Sequence, residues 1–136
     1  MKTSTHLNFD GRCAEAFDHY AQCLGGRIMM LTKHGETPMA EQVGPDWRDK
    51  VVHAELAFGD QLLMGSDVPP VMYEAPRGFA VQLELDDIAA GERIFAALAD
   101  GGNVGMPFAE TFWAKRFGMV TDRFGIPWML NCQRTD

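Results

Sequence analysis

The chain has 136 residues and a formal net charge of −7: the length suits one hydrophobic core or two small fused ones, and the charge repels phosphate backbones. Hydrophobic residues at 46% and charged residues at 23% are ordinary globular proportions and exclude a disordered chain. No apolar run reaches a membrane span and Met1 to His6 lack the apolar stretch of a secretory leader, so a cytoplasmic protein without nucleic-acid or membrane partners is expected.

Along the chain, Leu7-Asn8-Phe9-Asp10 reads as a strand closed by an Asp at a helix N-cap. The helix that follows carries Cys13, Phe17, Tyr20 and Leu24 as one apolar stripe, and Gly25-Gly26 stops it before a second strand. Residues 33–50, rich in Pro, Gly and charge, read as a long loop bearing Met39, Trp47 and the pair Asp46/Asp49. Val51 to Phe58 is a strand that turns at Phe58-Gly59-Asp60 into another. Leu83-Glu84-Leu85-Asp86 then repeats the opening, Ile88, Gly91, Phe95 and Leu98 form a second stripe, and Gly101-Gly102 a second stop. An aromatic-rich connection from Pro107 to Trp113 and the turn at Phe124-Gly125 lead to the last strand.

The spacing makes this a repeat. The strand starts (83 − 7) and the glycine pairs (101 − 25) are both 76 positions apart, and the Phe-Gly turns (125 − 59) are 66 apart. The first half thus carries roughly ten extra residues, which fall in the long loop. The reading is α+β: one domain of two βαβββ modules, about 1–70 and 77–136, forming open, curved mixed sheets with the helices outside.

Side chains alternate along strands, so parity separates a helix-packed face from an open one. Leu7 and Phe9 leave His6 and Asn8 on the open face; Ala54, Leu56 and Phe58 leave His53 and Glu55. Val81, Leu83 and Leu85 leave Ala80, Gln82 and Glu84; Trp128, Leu130 and Cys132 leave Met129 and Asn131. This stripe is either a solvated sheet surface or the wall of a ligand cleft. Trp47 and Trp113 are placed to cover a cleft, to meet a second copy or to tether their own loops, and Arg116 to hold a carboxylate or phosphonate at the cleft edge. Cys13, Cys23 and Cys132 cannot all pair and form no C-x-x-C, so reduced thiols are expected.

Several of these motifs together resemble the PhnB-like branch of the vicinal-oxygen-chelate (glyoxalase/bleomycin-resistance/dioxygenase) superfamily. They are Thr5 to Gly11, Glu15-Ala16-Phe17 with Tyr20, Leu24-Gly25-Gly26, Trp47 to Ala54, Gly59 to Asp67, Phe112-Trp113, Arg116-Phe117-Gly118 and Asp122 to Trp128. The resemblance implies paired βαβββ modules, a homodimer and a small-molecule ligand. In the superfamily's enzymes it also implies one divalent ion held by His and Glu, acting as a Lewis acid on vicinal oxygens. Aligned on those ligand patterns, this chain has Ala80, Met129, Ser4 or Thr5, and a position near Met64, so no cofactor is expected. An alternative divalent-metal set is His6, His53 and Glu55, with Glu84 sharing their parity. The label demethylubiquinone methyltransferase attached to such sequences finds no Rossmann fingerprint here, and catalytic residues stay unassigned. A binding module of the bleomycin-resistance type and a metal-dependent enzyme acting on a small oxygen-rich substrate are the two readings that follow.

Overall fold

A computed structural model describes residues 1–134, and the chain divides into two compact units, Met1–Glu74 and Ala75–Asp136. The first runs β1 (Thr5–Phe9), α1 (Cys13–Leu24), β2 (Arg27–Lys33), β3 (Val51–Phe58) and β4 (Gln61–Asp67). The second runs β5 (Val81–Leu85), α2 (Ile88–Ala99), β6 (Asn103–Ala109), β7 (Ala114–Thr121) and β8 (Pro127–Gln133). Each unit holds one four-stranded mixed sheet, in the order β1-β4-β3-β2 or β5-β8-β7-β6. The pairs β1–β4 and β5–β8 are parallel and the rest antiparallel. These are the two βαβββ modules predicted from the repeat.

The apolar stripes bury as their period requires. Cys13, Ala16, Phe17 and Tyr20 of α1 are fully buried, as are, or nearly so, Gly91, Phe95 and Leu98 of α2. Glycine lets each helix ring lie directly on the sheet: a Cβ on Gly65 would come within 2.6 Å of Phe17 Cε1, and one on Gly118 within 2.6 Å of Phe95 Cε2. The first Gly-Gly stop works as predicted, with Gly25 left-handed (φ 64°) and Gly26 N–H donating to Ala21 O at 2.9 Å.

The helix starts differ from the expected Asp caps. On α2 the cap is Asp87, one residue after Asp86, and its carboxylate accepts from Ala89 N–H at 3.0 Å. On α1 the N-cap is Arg12 with no side-chain cap, and Asp10 is exposed. The acceptor arrives from the far end of the unit. Asp67, buried at the end of β4, accepts from Gly11 N–H (3.0 Å), Cys13 N–H (2.9 Å) and Val51 N–H (2.9 Å). One carboxylate therefore closes the turn into α1 and fixes the start of β3. In the second unit Asp122, also buried, accepts from Phe124 N–H, Ile126 N–H and Trp128 Nε1–H at 2.8–3.0 Å and shapes the β7–β8 turn.

The loop at 33–50 contains three short 3₁₀ turns, His34–Glu36, Ala40–Gln42 and Pro45–Trp47, and its Trp47 ring packs on His34 at 6.3 Å. Outer strands β2 and β6 are poorly covered: Met29, Met30, Val104 and Met106 are all exposed. Phe108 is the exception, stacking on Phe95 with ring centroids 5.5 Å apart and tying β6 to α2. Among the described residues no helix is long and apolar enough to cross a membrane.

Asp67→Asn replaces one acceptor oxygen by a donor that faces backbone N–H groups, so denaturant unfolding should show a loss of about 2–4 kcal/mol. The control Asp60→Asn, at an exposed turn, should stay within about 0.5 kcal/mol of the parent; equal effects of the two would refute the role given to Asp67.

Candidate functional site

A single helix lies on each sheet, and the faces turned away from the helices carry the functional candidates. In the first unit the register sets His6, Met64, Glu55 and Met30 side by side across β1, β4, β3 and β2. Beside that row Asn8 pairs with Ser66, and His53 with Thr32. The polar members interact. His6 Nε2 and Ser66 Oγ share a hydrogen bond at 2.9 Å, the His6 and His53 rings are stacked 6.3 Å apart, and Glu55 Oε2 lies 3.8 Å from His53 Nε2. Partial burial, and then the neighbouring His53, hold His6 below its ordinary pKa, which favours the neutral ring.

In the second unit the corresponding row is Gln82, Met129, Met119 and Met106, followed by Glu84, Asn131, Phe117 and Ala109. Glu84 accepts from Gln82 Nε2 at 2.5 Å and from Asn131 Nδ2 at 3.1 Å. Asn131 Oδ1 is buried with no hydrogen-bond partner among the described residues. Phe117 is covered by Trp113, 5.4 Å away in a T-shaped contact, and Trp113 in turn meets Phe112 at 4.9 Å. At the opposite end of this face a cavity of about 490 Å³ opens among Phe79, Ala80, Met119 and Met129, with Arg77, Asn103 and Thr121 also lining it.

The structure thus brings His6, His53 and Glu55 together, with Asn8 at the next pair, and separately joins Gln82, Glu84 and Asn131 beside Met129. Trp113 lies against the same face as Asn131, whereas Trp47 packs within its own loop. Arg116 is not on the open face. In unbroken register with Gly118 and Val120 it pairs with Cys132, buried on the helix side, and Phe117 takes the open-face position opposite Asn131. Sequence reasoning missed Ser66, Phe117 and Met119, which the alternation in β4 and β7 could have shown, and met Met64 only as the neighbourhood of an aligned ligand position. It also missed Arg77, in an irregular segment with no periodic signal. Burial pushes the thiols of Cys13 and Cys132 up, away from the thiolate, while half-buried Cys23 lies 3.5 Å from His19 Nε2.

The ion implied by the superfamily needs hard nitrogen and oxygen donors where this chain has Ala80, Met129 and, nearby, Met64. A methyl group and thioethers do not fit it. In the alternative set the His6 and His53 rings stand 6.3 Å apart and His6 Nε2 is hydrogen-bonded to Ser66. Among the described residues no three His, Cys, Asp or Glu side chains converge as a ligand group.

The His6 environment carries a pH signature. The unfolded chain, with histidine at its ordinary 6.5, takes up a proton before folded His6 does. Stability is therefore complete above about 6.5 and falls as pH drops toward the lower folded value. Thermal unfolding of the parent should show that decline and His6→Gln should flatten it; superimposable pH profiles would contradict the assignment.

The family model described as 3-demethylubiquinone-9 3-methyltransferase matches residues 1–131. Protein YjdN of Escherichia coli (strain K12) is 34% identical over 96% of this chain and 95% of its own. The crystal structure of protein PA1353 from Pseudomonas aeruginosa is 45% identical with a TM-score of 0.89, covering 98% of both chains. The PhnB protein from Bacillus cereus is 25% identical with a TM-score of 0.80, covering 96% of this chain and 98% of that one. The chain belongs to this 3-demethylubiquinone-9 3-methyltransferase family, the PhnB-like branch of the vicinal-oxygen-chelate superfamily, and has its glyoxalase/bleomycin-resistance fold.

Proposed function

We propose that the chain is a small-molecule-binding protein whose ligand enters the cavity on the open face of the second unit. The carrying observation is that cavity: about 490 Å³ walled by Phe79, Met119 and Met129, with a few polar groups at hand. Size and chemistry match the usual small-ligand site, an apolar hollow with few orienting polar groups. Methionine suits such a wall because its flexible, polarisable thioether adapts to flat or irregular bodies. The methyl transfer in the family's description is not part of this reading, since each sheet has four strands with one parallel pair, unlike a doubly wound nucleotide-binding sheet.

The buried free thiols of Cys13 and Cys132 support a reducing, cytoplasmic setting. Exposed apolar residues on the outer strands, Met29 and Met30 on β2 and Val104 and Met106 on β6, support a homodimer. Sedimentation at micromolar concentration should return the mass of two chains; a stable monomer would remove the dimer.

A second reading, an enzyme acting on a small oxygen-rich substrate with a divalent metal, is favoured only by the His6, Ser66, His53 and Glu55 cluster. Elemental analysis that found near-stoichiometric retained metal, lost in His6→Ala, would put this reading first.

Gly105 supplies the test of the cavity. A Cβ there meets nothing nearer than Met119 O at 3.7 Å, so a side chain is accommodated by the backbone while filling the hollow. The neutral apolar dye N-phenyl-1-naphthylamine should bind the parent with enhanced fluorescence and lose about tenfold or more in affinity with Gly105→Phe. Equal binding by the two folded proteins would sink the cavity as the ligand site.

A further inference from the structure

We infer that the ligand of this cavity is an organic monoanion, a carboxylate or similar single negative charge on an apolar body of one or two rings, recognised by Arg77. The inference rests on the binding reading above and adds the charge class of the ligand. Arg77, exposed at the rim, is the one charged residue lining the hollow; Asn103 and Thr121 are neutral, and the walls are aromatic and thioether. Among the described residues Arg77 forms no ion pair or hydrogen bond. Arg12, Arg123 and Arg134 instead close on Glu15, Asp100 and Glu110 at 2.9–3.1 Å. Among the described residues Arg27, Arg48, Arg93 and Arg116 likewise close on no carboxylate, and Arg77 is the one of these five that lines the cavity. Its planar fork presents paired donors to a carboxylate and remains charged at every working pH.

The cavity's other features narrow the class further. One cation with no second basic residue in the lining balances a single charge, so di- and trianionic phosphates would carry uncompensated charge. A cationic ligand would face the guanidinium with no acidic side chain in the lining to receive it. A neutral ligand could fill the apolar walls but would leave the arginine unused. The anion partner expected from sequence at Arg116 is thereby reassigned to Arg77, because Arg116 lies in the register of buried Cys132.

The test pairs two dyes of similar ring body and different charge, 8-anilinonaphthalene-1-sulfonate and neutral N-phenyl-1-naphthylamine. Both are titrated by fluorescence against the parent, Arg77→Gln and Gly105→Phe, each checked for native circular dichroism. Loss of a charge-assisted contact should weaken the sulfonate dye about tenfold or more in Arg77→Gln and leave the neutral dye within about twofold. Gly105→Phe should weaken both. If Arg77→Gln leaves the sulfonate dye unchanged while Gly105→Phe still weakens the neutral one, the monoanion assignment is overturned and the cavity reading stands. If neither dye responds to Gly105→Phe, the cavity reading falls and the monoanion assignment falls with it.

Discussion

Each unit has one helix for four strands, and that shortage of cover governs everything built on the sheets. A twelve-residue helix is about 18 Å long and about 10 Å across, while four strands at about 4.8 Å spacing make a sheet of comparable length and greater breadth. One helix can bury one face only, and even that face thins out at the last strand. Leu7, Ala54, Leu56 and Leu63 vanish beneath α1, whereas β2 has no fully buried residue. The opposite face receives no helix from its own unit, although in the second unit Trp113 reaches over Phe117. Its side chains must be solvated, pair among themselves or receive a ligand, and the two units resolve this differently.

Corresponding positions show the divergence. Where the first unit places His6 and Glu55 in its central row, the second places Gln82 and Met119; where the first has Ser66 and His53, the second has Asn131 and Phe117. The first face becomes a polar cluster in which His6 bonds Ser66 and His53 approaches Glu55. The second becomes thioether and aromatic, with its polar groups confined to Glu84 and its amide partners at one end and the cavity at the other. The backbone plan is duplicated while the chemistry is not, so a ligand that suits one face is ill matched to the other.

Much of this was legible in the sequence because buried strands and helices impose periods. Alternation in Thr5 to Phe9, Val81 to Leu85 and Trp128 to Cys132 is strict, and it placed His6, Asn8, Gln82, Glu84, Met129 and Asn131 on the correct face. Arg116 is in phase with Gly118 and buried Val120, so plain alternation in β7 puts it on the helix side; the extra residue at Lys115 shifts only Ala114 out of that phase, a bulge that leaves no mark in the hydrophobic pattern. Val52 shows the same effect on β3, lying exposed beside buried Val51 where strict alternation would reverse them. The capping role of Asp67 was invisible for another reason: its donors Gly11 and Cys13 are more than fifty positions away, and only the parallel pairing of β1 with β4 brings them within reach. Arg77 lies in a segment with neither period nor motif, so nothing local distinguishes it from an ordinary surface cation.

The resemblance to the superfamily sets a carboxylate ligand at Met129 and near Met64, where this chain carries thioethers. A carboxylate there would be an acidic charge on a face that its own helix does not cover, stable when an ion or a donor pairs it. A thioether asks for no partner, accepts dry contact and makes favourable approaches to aromatic rings. Substituting the second for the first removes the electrostatic reason to hold a cation and converts the same floor into an apolar wall. With the floor uncharged, the potential inside the second unit's cavity is set by whatever charge stands at its margin, and there Arg77 stands without an acidic neighbour in the lining. The guanidinium at the margin of this face therefore stands over a floor of thioether and aromatic groups that carries no charge of its own.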